Sequence, residues 1–194
     1  YPIVLQHGNN PGLVSHFVKA AIEYVVNTQF SKDKHLKGLI KEGKFNEAAK
    51  TLGAKMIHVN DIDLQEVKDT YSDDILFSTW CTDSFWFEML SEATVNVGTH
   101  ENIDFEEECN FVNTEKGFLE FKKLAADKKC RTYYPGGEFE GFLVPHEETI
   151  TIAKGLEVKE NGRVSYRPTV MFLYSPCVYA TNYFKNAKVN NYPN

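Results

Sequence analysis

The apolar positions of this chain fall into helical spacing first and strand spacing later. A short apolar run, Ile3-Val4-Leu5, predicts a strand over residues 1–5, and the turn-forming string His7-Gly8-Asn9-Asn10-Pro11-Gly12 follows it. Asn10 has the side chain of a helix cap, and Pro11 suits a first helical turn. Leu13, Val14, Phe17, Val18, Ala21, Ile22 and Val25 then share one helical face, so the spacing predicts a buried helix to about Asn27. Residues 30–53 are helical but polar, broken at Gly38, Gly43 and Gly53, with a short helix over 45–52.

From there β-rich runs dominate. Strands are expected at 56–59, 75–80, 132–134, 139–144, 149–153 and 164–174, with Glu160-Asn161-Gly162 turning between the last two. Thr82 is the expected cap of a helix to about Leu90, with Phe85, Met89 and Leu90 inward; 118–126 and 179–188 are also expected to be helical, and 102–115 irregular. Helices early and strands late imply an α+β protein, a largely antiparallel sheet with helices packed on it. Residues 1–189 are expected to form one domain, with 190–194 a loose tail.

Composition narrows the classes. A formal net charge of -6 argues against nucleic acid as a partner, because phosphate contacts need clustered Lys and Arg. No signal peptide and no apolar run of membrane-spanning length is present, so a cytoplasmic location without membrane insertion is expected. Cys81, Cys109, Cys130 and Cys177 lack CxxC pairing and read as free thiols, and no metal motif is present. No GxGxxG follows a strand, so a dinucleotide-binding fingerprint is missing. The chain opens at Tyr1 directly on an expected strand, which predicts a fragment of a longer protein.

Candidate chemistry lies in a few segments. Trp80 precedes the expected cap at Thr82, and Glu88 lies in the helix after it. An aromatic face and a carboxylate together suit an alkylammonium group; the plainer alternative is a core tryptophan and a solvated glutamate. Asp61 and Asp63, two residues apart, could face one way and bind an ammonium group or a metal, or lie in a solvated loop. His146 ends an expected strand and could serve as an acid–base group or as structure. The neighbouring pair Glu147-Glu148 reads as solvated.

Four strings carry a resemblance. His7-Gly8-Asn9-Asn10-Pro11-Gly12-Leu13-Val14-Ser15-His16-Phe17-Val18-Lys19 resembles the HGxNPGLVSHFVK signature of bacterial-type homospermidine synthases, of the saccharopine dehydrogenase-like superfamily. Thr79-Trp80 with Glu88, Gly98-Thr99-His100-Glu101, and Gly141-Phe142-Leu143-Val144 with His146 match further strings in family order. The resemblance implies an enzyme that oxidises putrescine to an imine with bound NAD, lets a second amine displace ammonia, and reduces the new imine with the same cofactor. It implies Trp80 as a cation–π wall, Glu88 and Asp61 as ammonium anchors, and Asn10 and His146 as hydrogen-bonding groups at the reaction centre.

It further implies NAD held by a Rossmann domain in cis or in trans, putrescine or a related polyamine as substrate, and a possible homodimer. The chain departs from the family at Asp61, where Glu is usual, at Val97, where Trp is usual, and at Met171 and Ser175, where His is common. A relative acting on another amine or amino acid, and a non-catalytic homologue kept for binding or structure, are the alternatives. The isolated chain is expected to be inactive.

Overall fold

The run Thr169–Ser175 is apolar at nearly every position and buried on both faces, the pattern of a strand at the centre of a sheet. A computed structural model describes residues 8, 10, 12–72, 74–102, 107–113, 115–134 and 136–189. The strand expected over 1–5, Pro11 and the tail 190–194 lie outside the described residues.

Three helices come first: α1 (Leu13–Gln29), α2 (Lys34–Lys41) and α3 (Phe45–Leu52). Then follow β1 (Met56–Ile62), α4 (Thr82–Met89), β2 (Glu92–Asn96), β3 (Cys109–Asn113), β4 (Phe118–Leu124), β5 (Lys129–Tyr134) and β6 (Gly137–Leu143). The chain closes with α5 (Glu147–Gly155), β7 (Val158–Glu160), β8 (Arg163–Tyr166), β9 (Thr169–Ser175) and α6 (Val178–Val189). Seven strands form one sheet in the order β3-β4-β2-β9-β6-β5, with β1 added against β9. The β1–β9 pairing is parallel, and the others in this sheet are antiparallel. The fold is therefore α+β with a largely antiparallel sheet, as expected.

Alternation along β9 divides the interior. Val170, Phe172 and Tyr174 join the helix-side core with Val26, Phe85, Ile152 and Phe184. Leu173 points the other way, into a smaller cluster with Val95, Leu119, Phe121 and Leu143.

Several sequence expectations change. The first helix starts from Gly12, not Asn10, and Gly12 makes no side-chain cap; the Asn10 amide turns instead to His146. Only part of its apolar face is covered: Val14, Ile22 and Val26 are buried, while Leu13, Phe17 and Val25 stay exposed. Phe17 and Val25 line an open apolar groove with Met56 and Val59 of β1. Residues 75–80 are irregular rather than a strand, because the Ser78 hydroxyl accepts a bond from the Trp80 amide and turns the backbone. Cys81, not Thr82, occupies the cap position of α4.

The expected helix at 118–126 is the strand β4 with a short 3-10 turn after it. Phe118, Phe121 and Leu124 fit helical spacing, but pairing with β2 and β3 buries Leu119 and Phe121 together. The expected strand at 149–153 is inside α5. Its β-branched Thr-Ile-Thr-Ile run suggests a strand, yet Glu148, Thr149, Ile152 and Ala153 are buried at helical spacing. The turn at Asn161 and Gly162 does form, both with positive φ, but it joins β7 to β8. All four cysteines are free, and no described helix is long and apolar enough to cross a membrane.

Candidate active site

The cavity that collects the candidate residues lies on the helix side of the sheet. It has a volume of about 430 Å³ and is lined by Asn10, Asp61, Thr79, Trp80, Glu88, His146, Phe172 and Tyr174. This volume is ordinary for a small-molecule site, roughly 300–1,000 Å³. Asn10, Asp61, the Trp80–Glu88 segment and His146 are far apart in sequence, and each of these five residues comes from a different element or connection.

The parallel pairing of β1 with β9 sets Asp61 beside Tyr174. Asp61 is thus within β1 rather than past its end. Phe172 and Tyr174, two residues apart, face the same side. Phe85 from α4 packs edge-on against Tyr174 with ring centroids 5.3 Å apart, and Trp80 tilts over Phe85 at 5.9 Å. Trp80 is exposed, so this aromatic wall runs from the buried floor to the mouth. Burial pushes the Tyr174 phenol up to about 12, and its hydroxyl is buried without a hydrogen-bond partner.

His146 is the polar centre. It caps α5, and its ring stacks on Phe172 at 4.1 Å. Its Nε2 lies 3.3 Å from the Asn10 amide nitrogen and 3.3 Å from a Glu88 carboxylate oxygen, and its Nδ1 lies 2.7 Å from Glu148. Burial works against the imidazolium, but the hydrogen bonds and charges of Glu88 and Glu148 outweigh it and hold His146 above its ordinary value of 6.5. Glu148 is not solvated as the sequence suggests: α5 places it in the core, 2% exposed.

Among the described residues no lysine or arginine lines the cavity. Unpaired buried oxygens belong to Asn10, Glu148 and Tyr174 at or behind its wall, and to Asp63. Such groups in a polar cavity call for a donor-rich occupant. The Gly98-Thr99-His100-Glu101 string lies outside the lining. Thr99 and Arg167 exchange backbone and hydroxyl bonds, and Glu101 accepts from the Thr169 hydroxyl, so this string ties the loop after β2 to the start of β9. Gly98 is required there: a Cβ would stand 2.7 Å from the Arg167 carbonyl oxygen.

A raised histidine has a stability consequence. The stabilisation that protonated His146 gives is complete below the unfolded value of 6.5 and is lost as pH rises through the higher folded value. Unfolding free energy measured from pH 6.5 upward is expected to fall, and His146→Gln is expected to flatten that part of the profile. An identical slope in the variant would contradict this role.

No family model matches the chain. It is 31% identical over 180 residues to the homospermidine synthase of Mesorhizobium japonicum, a match covering 90% of this chain and 36% of that protein. It is 30% identical over 172 residues to the homospermidine synthase of Blastochloris viridis, covering 88% of this chain and 35% of that one. The crystal structure of homospermidine synthase from Legionella pneumophila in complex with NAD superimposes with a TM-score of 0.80 at 30% identity, covering 96% of this chain and 40% of that chain. The chain therefore resembles homospermidine synthases in sequence and fold, and spans little more than a third of the curated relatives it matches.

Proposed function

We propose, from this likeness to a segment of homospermidine synthases, that the chain is the amine-binding part of an enzyme that joins putrescine units through imine intermediates with release of ammonia. The observation that carries the reading is a cavity with Asp61 and Glu88 on its walls, an aromatic side, and no described cationic residue other than the titratable His146. A diammonium ion supplies the missing charge and the missing donors together.

The two ends of the cavity suit different tasks. Asp61, near the Trp80 and Tyr174 side, holds the nitrogen that stays charged, and the indole face adds a cation–π contact. The other nitrogen must be neutral to react, because an ammonium group has no lone pair for imine formation. His146 Nε2, beside Glu88 and Asn10, is the atom placed to take that proton and return it. Desolvation inside the cavity lowers the cost of neutralising an amine.

The lining does not fit a dinucleotide. Carboxylates would face its pyrophosphate, and among the described residues no lysine or arginine lines the cavity to receive it. An NAD-dependent reaction therefore needs a nucleotide-binding unit outside these residues, in the same polypeptide or another.

Calorimetric titration of the full-length polypeptide with putrescine is expected to show binding. Butylamine, with one ammonium group, is expected to bind roughly tenfold or more weakly, the value of one charged hydrogen bond. Equal affinity for 4-aminobutyrate, whose carboxylate would face Asp61 or Glu88, would sink the proposal.

A further inference from the structure

His146 stands between two carboxylates, and the one that does not line the cavity is held more closely. Glu148 Oε2 is 2.7 Å from Nδ1, whereas Glu88 Oε1 is 3.3 Å from Nε2. The Glu148 side chain is 3% exposed and that of Glu88 is 13% exposed, so the Glu148 charge is the less screened. Its other oxygen, Oε1, is buried without a hydrogen-bond partner, so its described side-chain bond is to His146 alone. Glu148 lies in the first turn of α5, where the helix N-terminus favours a negative charge.

The groups around Nε2 cannot all be satisfied at once. The Asn10 amide nitrogen donates, so it bonds to a bare Nε2. Glu88 accepts, so it bonds to a protonated Nε2. Nδ1 faces no such choice, since a proton there serves Glu148 in both cases. The remaining neighbour, Phe172 of β9, stacks on the ring and carries no charge. Without Glu148, Glu88 would hold the single proton of neutral imidazole on Nε2 and close that atom to substrate.

We infer that Glu148 is a positioning residue that keeps the permanent proton of His146 on Nδ1 and leaves Nε2 as the site of proton exchange with the bound amine. This inference rests on the amine-binding reading for its purpose, but not for its test. When Nε2 is bare it accepts from Asn10; when it takes a proton it pairs with Glu88, and the imidazolium then bridges both carboxylates. The ring need not move between these states. The Nε2 proton passes to and from an amine nitrogen with no other bond made or broken.

The test is the tautomer of His146 in the full-length polypeptide, read from long-range proton–nitrogen spectra with 15N-labelled histidine and assigned with His146→Gln. Above its titration midpoint the wild-type ring is expected to carry its proton on Nδ1. A neutral ring protonated mainly on Nε2 would overturn the inference without any further variant. Glu148→Gln, which keeps the shape and removes the charge, is expected to lower the midpoint by roughly one pH unit or more. An unchanged midpoint would also overturn it. Putrescine titration of the same samples separates the two ideas: lost binding with the Nδ1 tautomer intact removes the substrate reading alone, and the wrong tautomer with binding intact removes the Glu148 role alone.

Discussion

Glu88→Gln in the full-length polypeptide is expected to lower kcat/KM for putrescine coupling by roughly 30- to 1,000-fold, the equivalent of about 2–4 kcal/mol of lost charged interaction. Glu88 is placed to act twice. Its carboxylate lines the cavity where an ammonium group would lie, and it pairs with His146 when Nε2 is protonated. Glutamine keeps the size and removes both effects. If Glu88 serves only to anchor substrate, KM rises and kcat is preserved; if it also assists the proton at His146, kcat falls and the pH profile moves. Trp80→Ala is expected to cost less, about fivefold, because a partly exposed indole contributes about 1 kcal/mol to a cation. Steady-state kinetics with putrescine checks both. Full activity in Glu88→Gln would remove Glu88 from the site.

Arg167→Ala is expected to destabilise the protein by about 3–5 kcal/mol, the usual effect of breaking a buried ion pair from one side. The Arg167 side chain is 5% exposed and bonds to Glu157 at 3.1 Å, to the Val97 carbonyl at 3.1 Å and to the Glu115 carbonyl at 3.0 Å. Its backbone meets Thr99 at both its amide and its carbonyl. One side chain thus joins the ends of β2, β4 and β9, and truncation leaves a nearly buried carboxylate and two carbonyls without partners. Gly117 belongs to the same cluster: its φ is +71°, and a Cβ would collide with the Val97 carbonyl and the guanidinium. Urea unfolding measures the loss. A midpoint shift worth less than about 1 kcal/mol would show that water replaces these bonds.

These two residues illustrate what could be read locally and what could not. Glu88 stands out in the sequence through its place after Trp80 in a matched string. Arg167 does not, because nothing in Tyr166-Arg167-Pro168 tells that three separated segments converge on it. Glu148 is the clearest miss. Beside Glu147 it reads as one of a solvated pair, and an adjacent pair of acids gives no sign that one is turned inward. The signal available was helical spacing: Glu148 shares a face with Ile152, a relation hidden by reading 149–153 as a strand.

The short apolar runs at 118–126 and 149–153 were ambiguous for one reason. Each fits both a period of two and a period near 3.6 over so few residues. Pairing partners decided the first and a buried helical face decided the second. Local chemistry did suffice for α3, closed by Gly53 in the left-handed conformation, and for the Asn161-Gly162 turn. It also sufficed for the α+β class, since helical spacing early and β-rich runs late survive individual errors.

The sequence by itself determined the class of fold and singled out Asn10, Asp61, Trp80, Glu88 and His146 as candidates, with an acidic balance. Tertiary structure alone decided that these residues line one cavity, that Tyr174 and Phe172 complete it, and that Glu148 stands behind His146. The physical reason is range. Capping, turns and periodicity are set by neighbours within a few residues, whereas the cavity exists because β9 lies between β1 and β6 and brings β1, α4 and α5 to one face.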